Sequence, residues 1–265
     1  MMTWLRLGCA AVVIALASLV LLPLQCLCLY FDWRPRRYLP RIWHRIVCYW
    51  FGIRIRVHGR LEDRRPLMLA SNHSSWMDIL VLSAVADVAF IAKSEVKSWP
   101  IFGQFARLQK SVFIEREQKR KTGDQVNEIA DRMAGGEIMV LFPEGTTSDG
   151  NRLLDVKSSL FGAAAAALPQ APDGIVYVQP VAVAYTGVYG VPMGRYYRPL
   201  AAWPGDIELL PHLKDILAVG AIDVDVCFGE AVEYRTDTNR KQVSAEVAGR
   251  IRTMLMDRLL GRPVT

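Results

Sequence analysis

Several features that would assign this chain to a common class are missing from its sequence. Its five cysteines are odd in number and form no C-x-x-C pair, so neither a disulfide framework nor a thiolate metal site is expected. Its four histidines, His44, His58, His73 and His212, occur in no H-x-H or H-E-x-x-H arrangement, which argues against a closed zinc site. The cysteines are therefore expected to be reduced thiols that pack as small apolar side chains.

Linkers and repeats are also absent. No stretch is rich enough in glycine, proline or serine to divide the 265 residues into two globular domains, and no segment repeats. Hydrophobic residues make up 52% of the chain and charged residues 22%, a balance that excludes a disordered protein. We expect one large α/β domain with a sizeable core.

The N-terminal region does contain an apolar segment long enough to cross a membrane. Residues 7–29 carry no formal charge, and as one helix they would extend about 35 Å. Arginines cluster after this segment, at Arg34, Arg36, Arg37, Arg41 and Arg45. The cluster predicts an inner-membrane protein with its bulk on the cytoplasmic side, next to anionic lipid rather than nucleic acid. A secretory signal is the alternative, but its possible cleavage site at residues 15–17 comes too early.

A second stretch, residues 38–51, interleaves aromatic side chains with arginines, as in helices that lie at a membrane surface. An ordinary amphipathic helix packed on the domain is the alternative. We therefore predict membrane-anchoring helices over residues 1–51, which either span the bilayer or form a hairpin within one leaflet. Residues 52–265 are predicted to form the α/β domain.

Strand-like and helix-like patterns alternate beyond the anchor, which predicts an α/β fold with a mixed, largely parallel sheet flanked by helices. The predicted strands are residues 53–58, 67–70, 88–92, 112–115, 138–142, 175–184 and 222–228. The predicted helices are residues 79–86, 124–134, 157–168, 207–217 and 240–260. Pro180 interrupts the sixth strand, so we expect an edge strand or a bulge there.

A histidine and a carboxylate follow the second predicted strand, within the run Asn-His-Ser-Ser-Trp-Met-Asp at residues 72–78. Open α/β sheets usually place their chemistry at such strand ends. A carboxylate that fixes the tautomer of a histidine makes the imidazole a general base for a hydroxyl group. His73 and Asp78 can meet only if His73 lies in the turn and Asp78 in the first turn of a helix. The alternative is structural, because Ser75 and Asp78 also resemble a helix cap.

Two further strand ends carry candidate binding residues. Residues 112–117 bring Arg116 to a strand end, where a guanidinium can hold a phosphate or a carboxylate. An exposed ion pair with a neighbouring glutamate is the alternative. Residues 138–150 place Glu144 and Gly145 in a polar loop after a buried strand, where a glycine lets backbone N–H groups approach a ligand. An ordinary turn is the alternative.

Together and in this order, these stretches closely resemble the lysophospholipid acyltransferase family, in particular its bacterial 1-acylglycerol-3-phosphate acyltransferases. The Asn-His-x-x-x-x-Asp block of the family corresponds to residues 72–78, and its Phe-Ile-Asp-Arg-type block to residues 113–116. Its Phe-Pro-Glu-Gly-Thr block corresponds to residues 142–146, and its Val-Pro-Val-type strand, more loosely, to residues 179–181. The resemblance covers about residues 67–183.

The resemblance implies an enzyme that transfers an acyl group to the free hydroxyl of 1-acylglycerol-3-phosphate, forming phosphatidic acid. The expected donor is the thioester of acyl carrier protein or coenzyme A, with no other cofactor and no metal. His73 would be the general base and Asp78 would orient it. The implied acceptor-binding residues are Lys93, Phe113, Arg116, Glu144, Gly145 and Thr146. Ser74 and Ser75 are expected to be caps, because an activated thioester requires only a positioned base.

One departure from the family pattern bears on the acceptor. Thr147 follows Thr146 where many phosphate-binding members carry arginine, so the case for a phosphate head group is weaker. The resemblance leaves open a second acceptor, lyso-ornithine lipid, whose head group is an amino acid without phosphate. Two unrelated functions also stay open. One is a metal-dependent hydrolase that uses His73, Asp78 and Glu144, and the other is a membrane-bound module without catalysis.

Overall fold

The computed structural model describes residues 2–100, 102–115, 119–205 and 207–263. A mixed sheet flanked by helices forms its centre, which confirms the predicted fold class. The strands are β1 (Ile53–His58), β2 (Leu67–Ser71), β3 (Val88–Lys93), β4 (Val112–Ile114), β5 (Ile138–Leu141), β6 (Ile175–Val188), β7 (Val191–Pro192), β8 (Ile222–Phe228) and β9 (Val232–Arg235). The helices are α1 (Met2–Tyr30), α2 (Leu39–Phe51), α3 (Met77–Val85), α4 (Phe102–Leu108), α5 (Lys119–Ala134), α6 (Gly162–Ala167), α7 (Leu209–Val219) and α8 (Arg240–Leu259).

The direction of the strands gives the sheet two distinct edges. The strand order is β1-β8-β6-β2-β5-β3-β4, and β7 and β9 also pair with β6. Strands β2 to β6 run parallel to one another, whereas β8 runs antiparallel to β6. We call the edge where β2, β3, β4 and β5 end the carboxyl edge, and the edge where they begin the amino edge.

The core consists of two apolar layers, one on each face of the sheet. Helices α5, α6 and α8 cover one face, with Met133, Ala164 and Ile251 fully buried against it. Helices α2, α3 and α7 cover the other face. All five residues of β2 are buried, as expected for a strand covered on both faces. The strand that precedes the His73 turn is therefore held rigidly at the centre of the fold.

The sequence patterns miss or misplace a few short elements. Helix α4 has seven residues and β9 has four, and neither was predicted. Elements of this length show too few periods of the apolar pattern to be recognised. The helix predicted over residues 157–168 is instead a 3-10 turn (Ser158–Phe161) followed by α6.

The expectation of an edge strand at Pro180 is wrong. Strand β6 lies inside the sheet, between β2 and β8. On one side, β6 pairs with β9 as far as Val178 and with β8 from Val181 onward. Pro180, which has no N–H to donate, lies where this neighbour changes. The register shift of β6 comes later, between Tyr185 and Gly187.

Helices α1 and α2 form an N-terminal hairpin that packs on the α/β domain. The indole N–H of Trp43 in α2 donates to Ser18 Oγ in α1 at 2.9 Å. Near the start of α1, the Arg6 guanidinium donates to the carbonyls of Leu217 and Gly220 at the end of α7. Near its end, Gln25 Nε2 donates to Leu108 O at 2.7 Å. Helix α1 is thus tied to the domain near both ends and to α2 in its middle.

The outward face of α1 is apolar and exposed. Leu5–Tyr30 is the one candidate membrane span among the described residues, with a mean hydropathy of 2.6 and only 6% of its most apolar window buried. Its exposed side chains include Val12, Leu16, Leu19, Val20 and Leu27. An apolar surface of this kind suits contact with lipid, in line with the predicted association with a membrane.

Candidate active site

The turn after β2 begins with a side chain that continues the sheet. Asn72 Oδ1 accepts the backbone N–H of Val183 at 2.8 Å, and Asn72 Nδ2 donates to the carbonyl of Val183 at 2.9 Å. The Asn72 amide therefore replaces one backbone pair between β2 and β6 and extends their ladder by one step. As a result, the next residue, His73, emerges at a fixed position on the carboxyl edge.

His73 and Asp78 are in direct contact. His73 Nδ1 lies 2.9 Å from Asp78 Oδ2, with His73 in the turn and Asp78 in the first turn of α3. This is the arrangement that their spacing in the sequence requires. Because the carboxylate accepts the Nδ1 proton, the tautomer assigned from this contact leaves Nε2 free to accept a proton. The His73 side chain is 18% exposed, so part of it faces solvent.

Asp78 is fully buried, and both of its oxygens are satisfied. Oδ2 accepts the backbone N–H groups of Ser74 at 2.7 Å and Ser75 at 2.9 Å, in addition to His73. Oδ1 accepts the hydroxyl of Tyr185 at 2.7 Å. Burial raises the pKa of Tyr185 well above its usual range, so this phenol stays a donor. The carboxylate is thus fixed by four donors before any substrate arrives.

We expected Ser74 and Ser75 to cap α3, but neither occupies its N-cap position. The cap residue of α3 is Trp76, and its side chain makes no capping bond. Ser75 Oγ accepts the N–H of Met77 only at a long 3.4 Å. The carboxylate of Asp78 reaches back to the turn instead, because both serine N–H groups point towards it. Both serines are buried and contribute their backbone to the site.

The loop after β5 supports His73 from the other side. The ring of Phe142 stacks on the imidazole, with centroids 4.0 Å apart and planes at 16°. Glu144 Oε1 accepts the backbone N–H of His73 at 2.6 Å, and Glu144 Oε2 accepts that of Leu154 at 2.6 Å. The Phe-Pro-Glu-Gly-Thr block therefore packs against the His73 turn, and Glu144 links that turn to the segment around Leu154.

The carboxyl group of Glu144 is itself electrostatically perturbed. It is only 2% exposed, and burial raises its pKa to about 7, although the N–H groups of His73 and Leu154 oppose the shift. A group near neutrality at a catalytic turn is often functional. Here both oxygens are already occupied by backbone donors. Binding of the acceptor head group by Glu144 stays a prediction, and its observed contacts are those of a positioning residue.

Two backbone contacts complete the support of the turn. The N–H of Ser148 donates to the carbonyl of His73 at 2.8 Å, and the N–H of Trp203 donates to the carbonyl of Ser74 at 2.6 Å. The turn is therefore tied to the β5 loop and to the segment before α7. Such support keeps the imidazole in one orientation, which a general base requires.

The other predicted acceptor-binding residues lie along the same carboxyl edge. Lys93 is exposed at the end of β3, and Phe113 is partly buried in the adjacent strand β4. Strand β5 separates β2 from β3, so spacings of about 4.8 Å put these residues roughly 10–14 Å from the His73 turn. This distance suits a head group that lies to one side of the reacting hydroxyl. Arg116 lies outside the described residues.

Gly145 and Thr146 follow Glu144 in the same loop. Gly145 has a φ of 70°, a left-handed conformation that favours glycine, and its N–H donates to Phe142 O at 3.1 Å. That N–H is therefore engaged within the turn. Thr146 is exposed on the loop, and Thr147, the position that departs from the family pattern, is partly buried beside it. The roles of Gly145 and Thr146 in binding the acceptor stay predictions.

The arrangement bears on the hydrolase alternative. Among the described residues, no three histidine, cysteine, aspartate or glutamate side chains are grouped so that they could hold a metal ion. Asp78 and Glu144 flank His73, but their oxygens are taken up by N–H and O–H donors. These hydrogen bonds hold the two carboxyl groups in positions from which they orient the His73 imidazole and its turn.

Sequence reasoning missed Tyr185 and Trp203. In β6, Val181, Val183 and Tyr185 alternate onto the face that α3 covers, so period-two alternation would have pointed the Tyr185 phenol towards the site. Trp203 acts through its backbone in an irregular segment, and no pattern marks that contact in the sequence.

Comparisons with known proteins bear on the family of this chain. A family model described as Acyltransferase matches residues 54–184. A lyso-ornithine lipid O-acyltransferase of Rhizobium meliloti (strain 1021) is 64% identical over 262 residues, which cover 99% of this chain and 90% of that protein. The protein of the same description from Brucella abortus (strain 2308) is 56% identical over 247 residues, 93% of this chain and 92% of the relative.

A solved structure shares the fold. The crystal structure of a 1-acyl-sn-glycerophosphate acyltransferase from Thermotoga maritima matches with a TM-score of 0.66 and 21% sequence identity. The match covers 99% of this chain and 96% of the other. The apolar N-terminal helix and the mixed sheet are therefore an architecture that an experimental structure also shows.

Proposed function

The chain belongs to the acyltransferase family and acts on lysolipids, and from that premise we propose that it is a lyso-ornithine lipid O-acyltransferase with His73 as general base. The observation that carries the catalytic part is the contact of His73 Nδ1 with the buried, fully satisfied carboxylate of Asp78. The preference for the acceptor is supported by the two relatives described above and by Thr147. Lysophosphatidate, the acceptor that the motifs alone put first, becomes the alternative.

The proposed reaction is a direct transfer. His73 Nε2 takes the proton of the acceptor hydroxyl while the hydroxyl oxygen attacks the carbonyl carbon of an acyl thioester. The carbon–sulfur bond then breaks, and the leaving thiolate of acyl carrier protein or coenzyme A takes the proton from the imidazolium. Asp78 stabilises that imidazolium and holds its orientation. General-base catalysis of this kind contributes about 10²–10⁴ in rate.

The position of Thr147 supports an acceptor without a phosphate. Thr147 directly precedes Ser148, whose N–H holds the His73 carbonyl, so it lies next to the catalytic turn. An arginine at this position would bring a fork of donors suited to phosphate. A threonine brings a hydroxyl without charge, which suits an amino-acid head group better.

The acceptor is tested with purified full-length protein, an acyl thioester donor, and lyso-ornithine lipid or lysophosphatidate as acceptor. We expect kcat/KM for lyso-ornithine lipid to exceed that for lysophosphatidate by about a hundredfold, a difference of about 2.8 kcal/mol. Thr147→Arg should shift this ratio about tenfold towards lysophosphatidate. The matched control, Thr253→Arg on the exposed face of α8, should leave the ratio unchanged. A wild-type preference for lysophosphatidate would overturn the proposal.

We also propose that the α1–α2 hairpin lies within the cytoplasmic leaflet of the inner membrane and does not cross it. Arg6 and Gln25 are both tied to the α/β domain, and 19 residues of helix separate their ties by about 28 Å. If α1 stood across the bilayer, the polar domain beside it would have to enter the hydrocarbon. An in-plane hairpin places the apolar face of α1 in lipid and keeps the domain in water.

The orientation is tested by proteolysis of an N-terminal epitope tag on the full-length protein. An in-plane hairpin keeps the tag on the cytoplasmic side, so protease should remove it from inverted vesicles and leave it intact in spheroplasts. Cleavage in spheroplasts would show that α1 spans the membrane.

A further inference from the structure

A cavity of about 190 Å³ opens at the amino edge of the sheet, away from the His73 turn. Val88 and Ile138, the first residues of β3 and β5, line it. Strand β5 has four residues, so its two ends, and with them the cavity and the carboxyl edge, lie about 10 Å apart. The residues that line it take no part in the active site described above.

The cavity is strongly basic. Its charged lining consists of Arg36, Arg37, Arg65, Lys110, Arg132, Asp87 and Glu137. Positive charges therefore outnumber negative ones by three. One carboxylate, that of Glu137, serves three guanidinium groups, at 3.5 Å from Arg36, 3.8 Å from Arg37 and 2.7 Å from Arg132. Two exposed carboxylates outside the lining also contact the cluster, that of Asp32 at 3.1 Å from Arg36 and that of Glu128 at 3.7 Å from Arg132. Such exposed pairs contribute little, and the lining itself keeps its excess of three positive charges, which an anion in the cavity would balance.

One of these guanidinium groups also carries an unused donor. Arg36 has a side chain only 10% exposed, and its buried Nε has no hydrogen-bond partner in the part of the chain that the structure describes. A buried N–H that is left unpaired is costly, and native proteins usually satisfy it. An oxygen-rich anion in the cavity would supply the acceptor.

The cavity lies where the membrane-facing helix joins the domain. Arg36 and Arg37 belong to the 3-10 turn that directly follows α1. The same junction exposes Tyr30, Phe31 and Trp33, whose side chains are 82%, 53% and 52% exposed. Exposed aromatic rings at the end of an apolar helix are typical of the head-group level of a membrane. A basic pocket at that level suits the phosphate of a lipid.

An apolar crevice adjoins the basic cavity. It lies between α1, α2 and α4, measures about 30 Å³, and is lined by Leu21, Leu22, Leu39, Trp43, Phe105 and Leu108 among others. Pro40 and Gln109 line both spaces, so the two are neighbours. An amphiphile could therefore place its charged group in the cavity and its chain along α1, whereas free phosphate would use the cavity alone.

We propose that this cavity binds the phosphate-bearing head group of an anionic phospholipid, with the acyl chains lying against α1 beside the crevice. Such a lipid would hold the α1–α2 hairpin on the domain at the membrane surface. The site is separate from the acceptor site, and it depends on neither the reaction nor the choice of acceptor.

Binding is tested on the full-length protein in detergent with three probes. These are monomeric dihexanoyl phosphatidylglycerol, dihexanoyl phosphatidylcholine and inorganic phosphate. The wild-type protein should bind the anionic lipid about tenfold more tightly than either other probe, because the first control lacks net charge and the second lacks chains. Arg37→Gln/Lys110→Gln removes two lining charges and should weaken binding of the anionic lipid about tenfold. The control Arg34→Gln/Arg60→Gln, which removes two exposed charges outside the lining, should not.

Three results would overturn the proposal. Equal binding of the two lipids would show that charge is not recognised, and phosphate bound as tightly as the anionic lipid would assign the cavity to a free anion. Equal weakening by the two double variants would reduce the effect to diffuse surface charge. Thermal unfolding of each variant shows whether it is folded, and Arg37→Gln alone, at a side chain 43% exposed, serves if the double variant unfolds.

Discussion

The two edges of the sheet differ in how their polar groups are satisfied. At the carboxyl edge, each oxygen of Asp78 and Glu144 accepts at least one hydrogen bond from within the chain. At the amino edge, Arg36 Nε is buried without a hydrogen bond to any described residue. The first pattern is that of a preorganised catalytic group, and the second is that of a site whose partner comes from outside.

The largest effect on the carboxyl edge is expected when the carboxylate of Asp78 is replaced. In Asp78→Asn, the side chain loses the negative charge that stabilises the imidazolium and keeps only one of its two acceptor oxygens, so the charge and the orientation of the imidazole are poorly supported. We expect kcat to fall about 10³-fold with little change in KM for the acceptor. Asp63→Asn, at an exposed side chain, should retain wild-type kcat. If Asp78→Asn kept more than a tenth of the wild-type kcat, Asp78 would not be needed for catalysis.

A smaller effect is expected when only the hydrogen bond from β6 to Asp78 is removed. Tyr185→Phe deletes the hydroxyl that donates to Asp78 Oδ1 and leaves the other three donors in place. A hydrogen bond to a charged group contributes about 1.5–3 kcal/mol, of which we expect only the lower part to appear in kcat, about a tenfold loss. Because Tyr185 positions Asp78 and touches no substrate, KM should be unchanged. The control Tyr234→Phe, at a buried tyrosine in β9, should affect neither constant. A change in KM alone would contradict the positioning role.

The last prediction concerns stability and not rate, through the titration of Glu144. The folded protein keeps a proton on Glu144 up to about pH 7, whereas the unfolded chain loses it near pH 4.5. Stability from this group is therefore lost as the pH rises from about 4.5 to 7, by at most about 3 kcal/mol. Glu144→Gln removes this titration.

Thermal unfolding in detergent at several pH values measures the difference in Tm between the wild type and Glu144→Gln. The Tm of the wild type relative to Glu144→Gln should fall over this pH range and then level off. Glu246→Gln, at an exposed ion pair, should run parallel to the wild type. A constant difference between wild type and Glu144→Gln would show that Glu144 titrates normally.

The sequence patterns predict the order of the elements and the contact of His73 with Asp78, because both depend on local information. Strand β1 was predicted with the observed limits, and β2, β3, β4 and β5 within one residue at each end. Strand β6 extends to Val188, past the predicted end at residue 184, and so includes Tyr185. Its packing on Asp78 depends on the register between distant strands, which no local pattern encodes.

The cavity at the amino edge could not be predicted from local sequence patterns for the same reason. Its basic residues come from four separate segments, at Arg36 and Arg37, Arg65, Lys110, and Arg132. In the sequence, Arg36 and Arg37 belong to one basic cluster and Arg65 to a second, whereas Lys110 and Arg132 belong to neither. The fold brings the four segments together, because β2 and β4 begin, and α5 ends, at the same edge of the sheet.

The most direct test of the account is turnover of lyso-ornithine lipid by the full-length His73→Ala protein in membranes. The account predicts a loss of about 10³-fold or more, with membrane association unchanged and with His58→Ala, at a histidine on β1, close to wild type. Turnover by His73→Ala within about tenfold of the wild type would show that the imidazole beside Asp78 is not the base.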